Sequence, residues 1–138
     1  MNAPSSAPCP TCGGTGRVVP LGLVRHHVRR AWARDLASTT WRFCSASRCE
    51  VVYFGSDGTS IGVEDVRRAP AYKTDRPADL LCFCFDVTGQ QALGTPDPVP
   101  YISERVRLGE CACDVLNPRG DCCLGSIGSW RNAQNRRA

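Results

Sequence analysis

The sequence has no run of 18 apolar residues, which excludes a transmembrane helix and predicts no membrane insertion. Its opening, MNAPSSAPCPTC, lacks the basic and apolar segments of a secretory signal. Lysine occurs once, at Lys73, against sixteen arginines; methionine occurs only at Met1, and histidine only at His26 and His27. No His/Asp pair accompanies a lone serine or cysteine, and no phosphate-binding loop is present, so hydrolytic turnover is not expected. At most the chain would be a metal reductase or an electron carrier. What the sequence has in quantity is cysteine, ten in 138 residues. In a chain without an export signal, that density predicts a reducing, cytoplasmic setting in which metal ligation outranks disulfides.

The net charge of +4 hides an uneven distribution. Residues 1–49 carry seven arginines and one acid, residues 50–123 carry seven basic and twelve acidic residues, and the tail from Leu124 adds three arginines. The acidic middle argues against a continuous surface for tracking a phosphate backbone, so nucleic acid is not the expected partner.

The cysteines fall into two groups. Cys9, Cys12, Cys44 and Cys49 form the first; Cys82, Cys84, Cys111, Cys113, Cys122 and Cys123 form the second. Between them, RRAPAYKTDRPADL (67–80) reads as a linker, which divides the chain into units 9–66 and 81–130. In the first unit, Leu21, Val24, Val28, Ala31 and Trp32 recur at helical spacing, predicting an amphipathic helix over 21–36 with Arg25, Arg29 and Arg34 on another face. The adjacent His26 and His27 read as solvated. Strands are predicted over 39–43 and 50–54, flanking the CSASRC loop, and a turn at 55–58 leads into a third at 59–63. Ligand loops at strand ends are the geometry of a zinc-ribbon-like knuckle.

In the second unit, Thr88 caps a short helix through Leu93, and Pro100 opens another that stops at Gly109. Asn117-Pro118-Arg119-Gly120 reads as a tight turn leading back to Cys122 and Cys123. The first eight residues and WRNAQNRRA at the end read as frayed. The fold class is therefore α+β.

Four thiolates saturate a tetrahedral zinc ion, and CPTC is a common half of such a knuckle, with Gly13–Gly16 as the turn beneath it. Zinc held by Cys9, Cys12, Cys44 and Cys49 would be structural. The single spacer in Cys82-x-Cys84 brings two sulfurs near one iron, with Cys113 and Cys123 available for a second. By spacing alone a second zinc, a labile disulfide or a Cu(I) site competes with an iron–sulfur cluster.

The blocks FCSASRCEVVYF (43–54), CFCF (82–85) and GECACDVLNPRGDCCLG (109–125) resemble the N-terminal domain of CopZ-type copper chaperones over roughly residues 9–128. That resemblance implies one zinc and one [2Fe–2S] cluster, in a second half like bacterioferritin-associated ferredoxin. The implied cluster ligands are Cys82, Cys84, Cys113 and Cys123, leaving Cys111 and Cys122 as alternates or as transient Cu(I) ligands. Full-length members continue into a copper-binding domain with a MxCxxC loop, which this sequence does not contain. The expected role is then one-electron transfer in copper handling, reducing Cu(II) to Cu(I) for a separate copper chaperone or copper-exporting ATPase. The alternatives are an electron-transfer adaptor for another metalloenzyme, or a zinc-stabilised module whose basic helix binds an acidic partner. The sequence names no redox donor.

Overall fold

A computed structural model describes residues 8–137, so the predicted fraying of residues 1–7 lies outside the described residues. Four antiparallel strands form one sheet in the order β1 (Gly16–Val18), β2 (Trp41–Cys44), β3 (Val51–Gly55) and β4 (Ser60–Gly62). The last three lie where the aromatic and β-branched runs predict them, within two residues at each end. β1 carries no strand pattern of its own; it forms because Gly16, Arg17 and Val18 pair with Cys44, Phe43 and Arg42. Every residue of β2 and β3 is buried, because both faces of the sheet are covered. Trp41, Phe43 and Tyr53 join a core with Leu23, Val24 and Ile61, whereas Cys44 and Phe54 cluster with Cys9 and Cys49. Alternation along β2, and a bulge between Val51 and Tyr53 in β3, let one sheet serve the core on one face and the first cysteine group on the other.

The helix predicted over 21–36 stops early. α1 (Leu21–His27) covers only the first two turns. Val28 leaves it in extended backbone and bridges Val66, while the Arg29 N–H donates to the Asp65 carbonyl and the Arg67 N–H to the His27 carbonyl, each at 2.7 Å. The Val28 N–H still closes the last helical bond, to the Val24 carbonyl at 3.0 Å, and it is the groups flanking Val28 that pair with the strand around Val66. Arg30 then takes a left-handed conformation (φ 50°, ψ 44°) before a 3-10 turn over Ala31–Ala33. For a residue with a Cβ this costs about 1 kcal/mol. Two expectations change in consequence. Trp32 is 83% exposed instead of lying on a buried helix face, and His27 is buried instead of solvated.

Residues 67–80, read as a linker, carry a helical turn, α2 (Ala71–Thr74), with Ala71 and Lys73 buried. The chain then forms a two-stranded hairpin, β5 (Leu80–Cys82) with β6 (Val87–Thr88). Thr88 does act as a cap: its hydroxyl accepts from the Gln91 N–H at 3.1 Å and its N–H donates to Gln91 Oε1 at 3.0 Å. The capped element is a 3-10 turn over Gln91–Leu93, shorter than predicted. α3 (Val99–Arg107) matches the predicted helix and buries Ile102. α4 (Cys113–Leu116) and α5 (Cys123–Arg137) complete the chain.

The terminal segment corrects the sequence reading, since 130–137 is helix and not a frayed end. Cys123, Ile127 and Trp130, spaced four and three apart, are all buried against Leu81, Ala92 and Ile102. Trp130 also donates from Nε1 to the Gly89 carbonyl at 3.0 Å. Gly89 is required there, because a Cβ at that position would lie 2.6 Å from the indole.

The two halves meet at the 117–120 turn. Tyr53 of β3 donates its hydroxyl to the Pro118 carbonyl at 2.7 Å, and Tyr72 of α2 donates to Asn117 Oδ1 at 2.6 Å. Asn117 is itself fully buried and donates from Nδ2 to the Asp121 carbonyl at 2.7 Å. The segment leading into Cys122 and Cys123 is therefore held by side chains of the first half.

Candidate metal centres

The first centre begins with the CPTC knuckle. The Cys9 N–H donates to the Gly14 carbonyl at 2.8 Å and the Gly13 N–H to the Cys9 carbonyl at 2.9 Å. Gly13 closes this turn at φ +74°, a conformation that side-chain-bearing residues resist. GGTG is thus the predicted turn beneath the knuckle and the start of β1. Cys44 ends β2, and Cys49 closes the loop that leads into β3.

The four sulfurs of Cys9, Cys12, Cys44 and Cys49 all lie within 4.8 Å of one another. Cys9 and Cys49 are 3.9 Å apart and Cys12 and Cys44 3.6 Å. A tetrahedron of zinc–sulfur bonds near 2.3 Å has edges of about 3.8 Å, so the donor set fits a zinc ion. Four thiolates would leave it no open position. Cys9, Cys44 and Cys49 are buried and Cys12 is exposed. Without metal, the Gly14 N–H bonded to its sulfur brings the Cys12 thiol down to about 7, whereas burial pushes Cys44 up to about 12 and raises Cys49. Metal entry must therefore displace protons from the buried thiols.

The second group is arranged differently. Cys123 Sγ donates to Cys82 Sγ at 3.1 Å, and the Cys84 and Cys113 sulfurs are 3.4 Å apart. Among the described residues, these sulfurs do not gather about one point as the first four do. Two close pairs fit a donor set spread over two irons better than one zinc. The Ala112 N–H donates to Cys84 Sγ at 3.3 Å. The Cys123 hydrogen bond, the largest influence, brings Cys82 down to about 7, and the same contact raises Cys123. Burial pushes Cys113 up to about 11. Cys123 opens α5. Cys111 is half-buried and Cys122 exposed, and neither takes part in these sulfur contacts.

Residues 6–67 match the CopZ zinc-finger family, described as a zinc binding domain. The copper chaperone CopZ of Archaeoglobus fulgidus is 30% identical over 119 residues, which cover 83% of this chain and 57% of that protein. The chain therefore spans a little over half the length of this curated relative. The X-ray structure of the A. fulgidus CopZ N-terminal domain matches with a TM-score of 0.71 and 26% identity, over 88% of this chain and 95% of that one. These matches together support a domain of the CopZ N-terminal type.

The zinc-binding match ends at residue 67, short of a residue the sequence reading missed. Lys73 is 1% exposed, and its ammonium donates to the Cys44 carbonyl at 2.9 Å and the Ala46 carbonyl at 2.7 Å. It also lies 5.6 Å from the centroid of the Phe43 ring. Four thiolates around Zn²⁺ carry a net charge of −2, and Lys73 places a compensating positive charge against the backbone of Cys44 and of the loop after it. The loop is clamped further by Arg48, whose N–H donates to the Lys73 carbonyl at 2.8 Å and whose guanidinium pairs with Asp75 at 2.8 Å. The signal was compositional: a chain with sixteen arginines keeps one lysine where three compact donors suit two converging carbonyls better than a planar fork.

His27 was likewise missed. Burial holds its ring neutral, lowering its pKa to about 4, so Nε2 carries the proton that is donated to the Val115 carbonyl at 2.8 Å. Its ring meets Phe83, between Cys82 and Cys84, edge to face at 5.9 Å. His27 thus braces the second cysteine group from α1. No helix of the described residues is long and apolar enough to cross a membrane.

Proposed function

We propose that this chain is an electron-transfer module of copper handling. In this reading Cys9, Cys12, Cys44 and Cys49 hold a structural zinc, and Cys82, Cys84, Cys113 and Cys123 hold a [2Fe–2S] cluster. The observation that carries it is the sorting of the sulfurs into one tetrahedral group and two close pairs. When bound, such a cluster supplies a one-electron store. The chain's own part is to bury three of the four thiols and to aim the Ala112 N–H at the fourth. The shortest sulfur contacts, Cys82–Cys123 and Cys84–Cys113, support placing Cys82 with Cys123 on one iron and Cys84 with Cys113 on the other, with Cys113 also in contact with Cys123.

Copper as the acceptor rests on similarity to a protein named as a copper chaperone. Cys111 and Cys122 are soft donors suited to a transient Cu(I) ion. The electron balance is simple: one electron leaves the reduced module, Cu(II) becomes Cu(I), and no proton or covalent bond moves. A separate copper chaperone or copper-exporting ATPase would take the Cu(I). The test is anaerobic mixing of dithionite-reduced protein, freed of excess reductant, with Cu(II) and a Cu(I) chelator. Up to one Cu(I) per cluster is expected, with return of the oxidised visible spectrum. A reduced protein that ignores Cu(II) yet passes electrons to an unrelated one-electron acceptor would overturn the copper reading in favour of an adaptor for another metalloenzyme. A purified protein with zinc but no iron would overturn both.

A further inference from the structure

Beside α1 lies a concavity of about 330 Å³ that neither cysteine group uses. Arg25, His26, Arg30, Trp32 and Arg67 line it, with no carboxylate among the lining residues. Trp32 is 83% exposed, the most exposed large hydrophobic side chain among the described residues, and the Arg30 guanidinium lies 5.2 Å from its ring centroid. Arg25 and Arg30 form no ion pair among the described residues. Arg30 is also one of four residues other than glycine held at positive φ among the described residues. A strained arginine against a bare indole is an arrangement that folding by itself does not favour. The hollow adjoins a second, of about 220 Å³, which shares His26 and Arg67 and reaches Phe83 between Cys82 and Cys84.

We propose that this concavity is the docking site for a carboxylate-rich segment of a protein partner, with Trp32 as its anchor. Aromatic and arginine side chains are the residue types that dominate binding hot spots. The unpaired guanidinium groups supply complementarity to carboxylates, and Trp32 supplies apolar area at low cost in side-chain freedom. A compact acidic segment fits better than nucleic acid, because the basic face is interrupted just outside the concavity. Arg34 approaches Asp65 at 3.8 Å, and Arg68 pairs with Asp86 at 3.4 Å. A long polyanion would meet those carboxylates; a short segment would not. The continuity toward Phe83 would bring a docked partner to the second cysteine group. That such a partner exchanges electrons there rests on the function proposed above, whereas the docking does not.

Trp41 and Trp130 are buried, so solvent-exposed tryptophan emission reports on Trp32. The metal-loaded full chain is titrated with a ten-residue peptide of glutamate and aspartate containing one phenylalanine, by fluorescence and by calorimetry. Binding in the submillimolar range at low salt is expected, with a blue-shifted emission and at least tenfold weakening at 0.3 M salt. Arg25→Glu with Arg30→Glu should weaken the peptide at least tenfold while zinc content is unchanged. Arg30→Gly relieves the left-handed strain, so it should raise the melting temperature and still weaken binding. Absence of binding at millimolar peptide, or equal affinity for the charge-reversed protein, overturns the proposal. So does binding of a thymidine oligonucleotide through these residues in preference to the peptide. Loss of iron leaves this assay unaffected, so failure of docking and failure of the redox reading are separable.

Discussion

Replacing Lys73 by methionine tests whether the buried ammonium compensates the first cysteine group. The substitution keeps the length of the side chain, so little cavity forms. What is lost is two hydrogen bonds from a charged donor, to the Cys44 and Ala46 carbonyls. Such bonds contribute about 1.5–3 kcal/mol each before the solvation of the ammonium is charged against them. The attraction between the ammonium and the net −2 of a four-thiolate zinc site adds further stabilisation of the metal-bound state, about a few kcal/mol at an effective dielectric near 20. Desolvating the lysine costs several kcal/mol, which offsets part of the sum. A net loss of about 2–4 kcal/mol remains, read mainly in the metal-bound state, where the thiolates are ionised. Zinc affinity should therefore fall by roughly one and a half to three orders of magnitude at 1.4 kcal/mol per decade. Competition against a chromophoric chelator measures it, and the melting temperature of the zinc-loaded protein should drop by about 10 °C. Lys73→Arg should fall between, since it keeps the charge but not the compact donor. Zinc affinity within threefold of the parent for Lys73→Met would refute the reasoning, because it would show that the desolvation cost cancels the charge and both bonds.

The same geometry gives three further expected outcomes. For His27 the folded pKa lies near 4, below the ordinary value of 6.5, so the unfolded chain binds the extra proton. Its contribution is full above about 6.5 and is lost as pH falls toward 4; the stability difference from His27→Gln should therefore shift by about 2 kcal/mol between pH 7 and pH 5, and a parallel pair of pH profiles would refute it. In reduced, metal-free protein at pH 7, iodoacetamide should label Cys12 before Cys9, Cys44 or Cys49, since Cys12 is exposed and its thiol is brought down to about 7; peptide mapping in which Cys44 reacts first would contradict this. Cys111→Ser with Cys122→Ser should keep the visible absorption of the anaerobically purified protein, whereas Cys123→Ser should bleach it; loss in the double variant would reassign the second group.

The readable parts of the fold were those written in local pattern. β2, β3 and β4 each carry their own aromatic or β-branched run, and α3 carries its proline start and glycine stop. The cysteine spacing alone divided the thiols into the two groups that the structure keeps apart. What escaped was set by partners distant in sequence. Val28 continues a helical pattern, but Val66, thirty-eight residues on, offers it a strand pairing that ends the helix. α5 was hidden because Gly125, Ser126, Gly128 and Ser129 dilute its helix propensity, and because Cys123 was counted as a ligand and not also as the first apolar position of a buried stripe. The pairing of Cys82 with Cys123 and of Cys84 with Cys113 is invisible in spacing, since each pair joins a residue of the hairpin to one at a helix start.

The connection between the two centres explains why a segment that reads as a linker is so tightly held. Lys73 reaches one way, to the loop between Cys44 and Cys49, while Tyr72 beside it reaches the other way, to Asn117. Arg119 completes the second contact by donating its N–H to the Tyr72 hydroxyl at 3.2 Å. α2 is thus a four-residue strut with the first cysteine group at one side and the turn before Cys122 and Cys123 at the other. Tyr53, buried in the sheet that carries Cys44, holds the same turn through the Pro118 carbonyl. Loosening the first group would therefore slacken both tyrosine contacts and with them the approach of Cys123 to Cys82. A structural metal in the first group, on this geometry, acts at a distance: it fixes the sheet and strut against which the second group's sulfurs are set.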